Sequence, residues 1–280
     1  MSAKTDFDYV KSHGLGNDYL VMDTTSLDYE LTPDRIEAIC HRNMGVGSDG
    51  VLALVETSEA DFAVRILNPD GTEAEKSGNG LRIFSKFLFD HGYTTKTDFT
   101  VHTIGGTVDA HLFVDEGRVS AVRVDMGMAT IDHDLTSILV DGDDLPITSI
   151  SVGNPHCVSL VDDLSQVDLF HVGPIIEIHE AFPNRTNVQF AEVISNTHVK
   201  AIIWERGAGH TLASGSSSCA VAVACYDKGL VGDEVTVVME GGDLSIKLDP
   251  DLNMVMTGGV EETSIGTFSE DFRRRLLALG

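Results

Sequence analysis

Ser77-Gly78-Asn79-Gly80-Leu81-Arg82-Ile83-Phe84 and Ser214-Gly215-Ser216-Ser217-Ser218-Cys219-Ala220-Val221 share a pattern at an offset of 137 residues, and that pattern decides how this 280-residue chain is read. The same offset separates Gly16-Asn17 from Gly153-Asn154 and Asp90-His91-Gly92 from Asp227-Lys228-Gly229. It is far longer than a solenoid period, so it predicts a duplicated half and two lobes.

Each serine stands where a strand pattern gives way to a helix pattern. Before Ser77, Asp61 to Leu67 is apolar and partly β-branched, and Asn68-Pro69-Asp70-Gly71 is a turn. Before Ser214, His198 to Trp204 plays the same part; Gly92 and Gly229 are the helix stops. Taken singly, each serine reads as an ordinary N-cap, a role serine fills well. A helix start also presents free N–H groups and the positive end of the dipole, which suit a carboxylate. A pseudo-twofold axis between lobes would aim both starts into one cleft. Inverting an α-carbon needs one group to remove a proton from one face and another to deliver one to the opposite face, so paired positions suit that chemistry. The two dipoles would stabilise the charge that develops as the proton leaves.

Other segments extend the pattern: His13-Gly14-Leu15-Gly16-Asn17-Asp18, Gly45-Val46-Gly47, Asn68-Pro69-Asp70-Gly71, Gly78-Asn79-Gly80-Leu81-Arg82, Asp125-Met126-Gly127, Gly153-Asn154-Pro155-His156-Cys157, Phe182-Pro183-Asn184-Arg185-Thr186-Asn187 and Glu205-Arg206-Gly207-Ala208-Gly209. In their order and spacing the chain resembles the diaminopimelate epimerase family, nearly end to end. The resemblance implies a cofactor-independent amino-acid isomerase of lysine biosynthesis that interconverts LL- and meso-diaminopimelate by two-base proton transfer. It also implies an α+β fold of two pseudo-symmetric lobes, each a curved, mostly antiparallel sheet around a central helix.

The same resemblance implies a cysteine at each helix start, where this chain has Ser77 and Ser214 as its candidate catalytic residues. A thiol with a pKa near ~8.5 is brought to the thiolate at a helix N-terminus. A serine hydroxyl needs an adjacent base. Three explanations are open: serines that still shuttle protons, a homologue that binds an amino acid without inverting it, and a scaffold that has lost both thiols. His156, in a matching motif, and His210, where the resemblance implies glutamate, are the candidate auxiliary groups. Gly50 stands where it implies glutamine, and Ser217 where it implies glycine.

By resemblance the substrate is read by Asn17, Asn68, Asn154, Asn187, Glu205 and Arg206, with the helix-start residues Gly78, Asn79, Gly215 and Ser216. Amides supply donors and acceptors, Glu205 suits an ammonium, and Arg206 suits a carboxylate. A proline-type racemase or dehydratase is the competing enzyme reading. A ring substrate would leave this polar set unpaired.

Gly45-Val46-Gly47-Ser48-Asp49-Gly50 spells a dinucleotide motif, but it follows a helix pattern and precedes a strand, the reverse of the required order. The histidines form no H-E-x-x-H, and Cys40, Cys157, Cys219 and Cys225 form no C-x-x-C pair, so no metal is expected. The two-base scheme needs no cofactor. Four cysteines without framework spacing, no membrane-length apolar run, and an opening segment, residues 1–6, without a signal-peptide core point to the cytoplasm. With 44 acidic against 19 basic residues the net charge is −25, which reads as a halophile's surface and excludes nucleic acid and anionic membranes as partners. A small amino-acid substrate is the expected partner, and a homodimer is one candidate for the assembly.

Strand patterns dominate, as at Arg118 to Val124 and Glu234 to Met239, and helix patterns fall at 33–42, 81–91, 164–180, 220–228 and 269–279. The division is expected at 132/133, giving lobes 1–132 and 133–280, with the last helix free to pack back on the first lobe.

Overall fold

The computed structural model describes residues 7–279, so the opening segment 1–6 lies outside the described residues. The chain forms two compact units, one running to Val124 and resuming at Gly259, the other comprising Asp125–Gly258.

In the first unit the order is β1 (Tyr9–Gly14), β2 (Asn17–Asp23), α1 (Pro33–Cys40), β3 (Val51–Val55), β4 (Phe62–Leu67), β5 (Glu73–Ala74), α2 (Gly78–Asp90), β6 (Asp98–Thr103), β7 (Gly106–Asp115) and the start of β8 (Arg118–Met128), which from Asp125 belongs to the second unit. The second unit contains β9 (Thr130–Asp132), β10 (Ser137–Val140), β11 (Asp143–Pro146), β12 (Thr148–Ser151), β13 (Pro155–Leu160), α3 (Leu169–Glu177), β14 (Asn187–Ser195), β15 (His198–Glu205), β16 (Gly209–Thr211), α4 (Gly215–Asp227), β17 (Glu234–Met239), β18 (Gly242–Leu248) and β19 (Asn253–Gly259) up to Gly258. Then β20 (Glu261–Gly266) and α5 (Glu270–Ala278) complete the first unit.

The duplication read from the sequence is written in the pairing. β2 runs parallel to β3 as β13 does to β14, and β4 runs parallel to β6 as β15 does to β17. The other ladders of both units are antiparallel, including β3 with β4 and β14 with β15. Each first hairpin gains one more antiparallel neighbour, β20 on β1 and β9 on β12. The two central helices, α2 and α4, each span 13 residues at the 137-residue offset.

The last helix does not return to the first unit alone. β20 takes its hydrogen bonds from the edge of β1, and the whole segment from Gly259 belongs to the first unit, whose earlier stretch runs to Val124. There Phe268 and Leu276 join Leu20, Met22, Ile36 and Ile39 in one apolar cluster, and buried Arg35 donates from Nε to the Leu276 carbonyl at 2.8 Å. The helix pattern at 164–180 resolves into a short 3-10 turn, Leu164–Gln166, and α3, because Asp168 caps the helix anew by accepting from the His171 N–H.

α4 packs against β12, β13, β14, β15, β17 and β18, so it has no polar face. Cys219 to Cys225 are all fully buried, and each buried valine among them contributes about 1.5–3 kcal/mol of transfer free energy. α2 packs on β1, β2 and β7 but carries buried Arg82 and Lys86; Lys86 pairs with Asp90 at 2.7 Å. No described helix is long and apolar enough to cross a membrane.

Candidate active site

In the first unit Ser77 is the N-cap of α2, with φ −139° and ψ 115°, and its Oγ accepts the Gly80 N–H at 3.0 Å. That leaves the Gly78 and Asn79 N–H groups at the open end of the helix. The Asn79 side chain is fixed on both sides: Nδ2 donates to Asn17 Oδ1 at 3.1 Å, and Oδ1 accepts from Arg82 Nη2 at 2.9 Å. Asn17 in turn donates to Asp49 Oδ2 at 2.9 Å, and Arg42 bridges Asp49, at 2.6 Å, and Asp18, at 2.8 Å. Burial alone would raise the Asp18 pKa, but hydrogen bonds from Arg42 and Lys11 outweigh it and hold the carboxyl below its ordinary range. The Ser77 cap is braced by charge.

Gly50 is tied to the same structure. A Cβ there would lie 2.5 Å from the Leu67 carbonyl oxygen and 2.8 Å from the Tyr19 ring, so the glutamine implied by resemblance has no room.

In the second unit Ser214 caps α4 with φ −142° and ψ 129°, nearly the conformation of Ser77, and accepts the Ser217 N–H at 3.4 Å. Ser214 is buried, its Oγ donates to Glu205 Oε2 at 3.3 Å, and Ser216 Oγ lies 3.5 Å away. Glu205 ends β15 and Ser214 follows β16; these strands pair Glu205 with Gly209, so the hairpin folds the carboxylate back toward the cap. Gly215 and Ser216 hold the first N–H positions of α4.

Behind Ser214 runs a neutral chain. Gln189 Nε2 donates to Ser217 Oγ at 2.9 Å and contacts His156 Nδ1 at 3.1 Å, and His156 Nε2 contacts Asn154 Oδ1 at 3.0 Å. Burial drives the His156 pKa down to about 3, with the Gln189 hydrogen bond opposing the shift and the Arg206 charge reinforcing it. The neutral ring therefore accepts at Nδ1 and donates at Nε2, which turns the Asn154 amide nitrogen away from it. Asn187 donates to the Pro155 carbonyl at 2.9 Å and accepts the Arg206 N–H at 3.0 Å. Arg206 reaches the Asn184 carbonyl at 3.1 Å, and Asn154, Asn184 and Arg185 line a cavity of about 200 Å³ with Gly153 and Phe182.

The structure thus gathers Asn17, Gly78 and Asn79 around the Ser77 cap, and Glu205, Gly215 and Ser216 around the Ser214 cap. Asn68 instead completes its own turn, with Nδ2 donating to Thr72 Oγ1 at 3.0 Å. His210 pairs with Glu240 at 3.2 Å and lies against Phe170, so Glu205, not a histidine, is the ionisable group on Ser214 Oγ. Sequence reasoning missed Asp49, Arg82, Gln189 and Glu177 as supports. Buried polar residues inside apolar runs, such as Gln189 between Val188 and Phe190, are the signal that could have found them.

The surroundings of the two caps correspond at the same offset, and the exchanges are chemical. Glu205 replaces Asn68, His156 replaces Tyr19, Gln189 replaces Leu52, and Ser217 replaces Gly80. Gly80 is glycine because a Cβ would stand 3.0 Å from Leu52 and 3.2 Å from Ser77; Ser217 is tolerated because its neighbour is an amide that donates to it.

Comparison with known proteins agrees with this architecture. The family profile described as Diaminopimelate epimerase matches residues 9–131 and 148–263. Diaminopimelate epimerase 2 of Nostoc sp. is 43% identical over 273 residues, covering 94% of this chain and 96% of that one. The diaminopimelate epimerase of Methanococcus maripaludis strain C6 is 37% identical over 263 residues, covering 89% and 95%. Among solved structures, a Bacillus anthracis phenazine biosynthesis protein of the PhzF family superposes with TM-score 0.72 at 16% identity, covering 93% of this chain and 98% of that chain. A hydroxyproline epimerase of Agrobacterium vitis, solved with trans-4-hydroxy-L-proline, superposes with TM-score 0.70 at 16% identity, covering 92% and 90%; both likenesses speak for the fold alone. Matched over most of its length by profile and by relatives, the chain belongs to the diaminopimelate epimerase family.

Proposed function

We propose that this protein interconverts LL- and meso-diaminopimelate without a cofactor, with Ser77 and Ser214 at the two proton-transfer positions. The observation that carries the reading is a pair of helix-capping serines at one fixed offset in a member of this family, one of them hydrogen-bonded to a carboxylate. As Ser214 Oγ takes the α-proton, its own hydroxyl proton passes to Glu205, which lowers the cost of alkoxide character at oxygen. Ser77 then delivers its hydroxyl proton to the opposite face and is re-protonated from solvent, to which Glu205 gives up the proton it took. The helix-start N–H groups hold the substrate carboxylate and the charge delocalised onto it. Asn17, Asn154 and Arg206 read the distal amino-acid end, with Asn68 and Asn187 shaping the turns beside them.

A second reading, binding without turnover, is favoured by the state of the thiols. All four cysteines are buried, and burial pushes Cys157 and Cys225 up to about 12, so neither is a nucleophilic thiolate. Incubation with LL-diaminopimelate in deuterated water separates the two: α-deuterium incorporation with meso product supports the epimerase, while calorimetric binding without exchange supports the second reading. If the rest of the site is intact, Ser77→Cys/Ser214→Cys raises the rate.

The charge of −25 extends the reading to a salt-rich cytoplasm. Screening relieves self-repulsion, so the thermal midpoint rises from dilute buffer to molar potassium chloride; a steady fall contradicts it.

A further inference from the structure

Glu177 is a buried carboxylate that the reaction scheme leaves unused. It is the last residue of α3, where the helix dipole disfavours negative charge, and its side chain is 7% exposed. A buried charge in that position needs donors, and three converge on it. Trp204 Nε1 donates to Oε2 at 2.7 Å, the Gly207 N–H donates to Oε1 at 2.7 Å, and the Arg185 guanidinium pairs with Oε1. The indole reaches it because it packs against Gly173, one turn earlier on α3; a Cβ there would come within 2.8 Å of the ring. Trp204 and Gly207 flank Glu205-Arg206, and the Arg206 N–H is held by Asn187 at 3.0 Å. The turn carrying Glu205 is therefore pinned at Trp204, Arg206 and Gly207, with the Glu205 carboxylate on Ser214 Oγ.

We propose that Glu177 is the positioning residue of the second half-site: through Trp204 and Gly207 it fixes the Glu205 carboxylate against Ser214. The inference rests on the reading that Ser214 and Glu205 move the proton. Glu177 touches no reacting atom. Its effect is geometric, and misplacement of a catalytic group by an ångström costs about a hundredfold in rate.

Glu177→Gln tests it in the full-length chain. Glutamine has one acceptor oxygen, so whichever way the amide turns, its NH2 opposes either the indole N–H or the Gly207 N–H. With LL-diaminopimelate, kcat falls about tenfold to a hundredfold while KM stays within about threefold. Backbone amides of residues 204–207 exchange about tenfold faster, those of 198–203 do not, and the emission of Trp204, the single tryptophan, shifts. A purely structural role predicts a lower thermal midpoint with unchanged kcat per folded molecule, and that result overturns the proposal. So does a rise in KM at unchanged kcat. If Glu177→Gln does not fold, Gly173→Ala displaces the indole while keeping the carboxylate and gives the same kcat loss; unchanged kcat there overturns the proposal. If the unaltered protein shows no α-exchange, the epimerase reading fails, and hydrogen exchange at 204–207 still decides the clamp: unchanged exchange in Glu177→Gln sinks it.

Discussion

Ser77 and Ser214 occupy the same backbone conformation at the head of helices of equal length, yet they stand in different chemistry. Ser214 is buried and hydrogen-bonded to Glu205; at the position one repeat earlier in sequence the chain has Asn68, which is engaged with Thr72. Among the described residues no carboxylate hydrogen-bonds Ser77 Oγ. The bracing differs in kind as well: Arg42, Asp49 and Asp18 hold the first half-site, whereas Gln189, neutral His156 and Ser217 hold the second. Duplication has kept the frame and changed the surroundings, so only Ser214 has a carboxylate on its hydroxyl among the described residues.

Deleting the hydroxyls is the largest way to break this comparison. Ser214→Ala removes the oxygen that Glu205 serves, and both α-deuterium exchange and inversion fall by about 10²–10⁴-fold. Ser77→Ala loses inversion by a similar factor but keeps exchange on the isomer whose proton faces Ser214. Exchange and product stereochemistry, followed together, check this; equal loss of exchange in both variants would make the serines equivalent.

Acid separates the halves next. His156 is neutral in the folded protein with a pKa of about 3, against 6.5 for the free group, so the unfolded chain binds the proton first. Its contribution is full above pH 6.5 and declines as the pH falls from there toward 3. Asp18 is held below its free value of 3.8, so its contribution is full above 3.8 and is lost only as the pH falls through the lowered value. Between pH 6 and 4, amides of β13 and β14 therefore lose protection before those of β1 and β2, and His156→Gln removes the difference. Simultaneous loss would contradict the assignment.

The smallest effect concerns Ser217. Ser217→Ala leaves one Gln189 N–H without its buried acceptor and destabilises the chain by about 1–3 kcal/mol in denaturant unfolding. Ser217→Gly with Gln189→Leu, which installs the Gly80 and Leu52 pair found in the first unit, recovers part of that loss. A single variant as stable as the parent would show that the amide finds another partner.

How much of this was legible follows from the distance over which each interaction acts. The caps at Ser77 and Ser214 were legible because a cap is local, a side chain reaching three residues on. The helix starts at the Ser-Gly pairs were legible for the same reason, although the helical pattern itself begins only at 81 and 220, because Gly78-Asn79-Gly80 and Gly215-Ser216-Ser217-Ser218 are poor helix formers that tertiary packing nevertheless winds into the first turn. The supports were not legible. Gln189 meets Ser217 across 28 residues of chain, and Glu177 meets Gly207 across 30; His210 is close to Ser214 in sequence but is drawn to Glu240.

The sequence by itself determined the duplication, the strand-to-helix turns, the two capping serines and the family, because each is written in local pattern and fixed spacing. Only the tertiary structure decided that Gly259 onward rejoins the first unit, that Glu205 is the carboxylate on Ser214, and that a neutral chain stands in one half where charges stand in the other. Those outcomes depend on which strand edges pair and which buried polar groups find partners, and a buried donor or acceptor is satisfied by whatever the folded chain brings beside it, however far away in sequence.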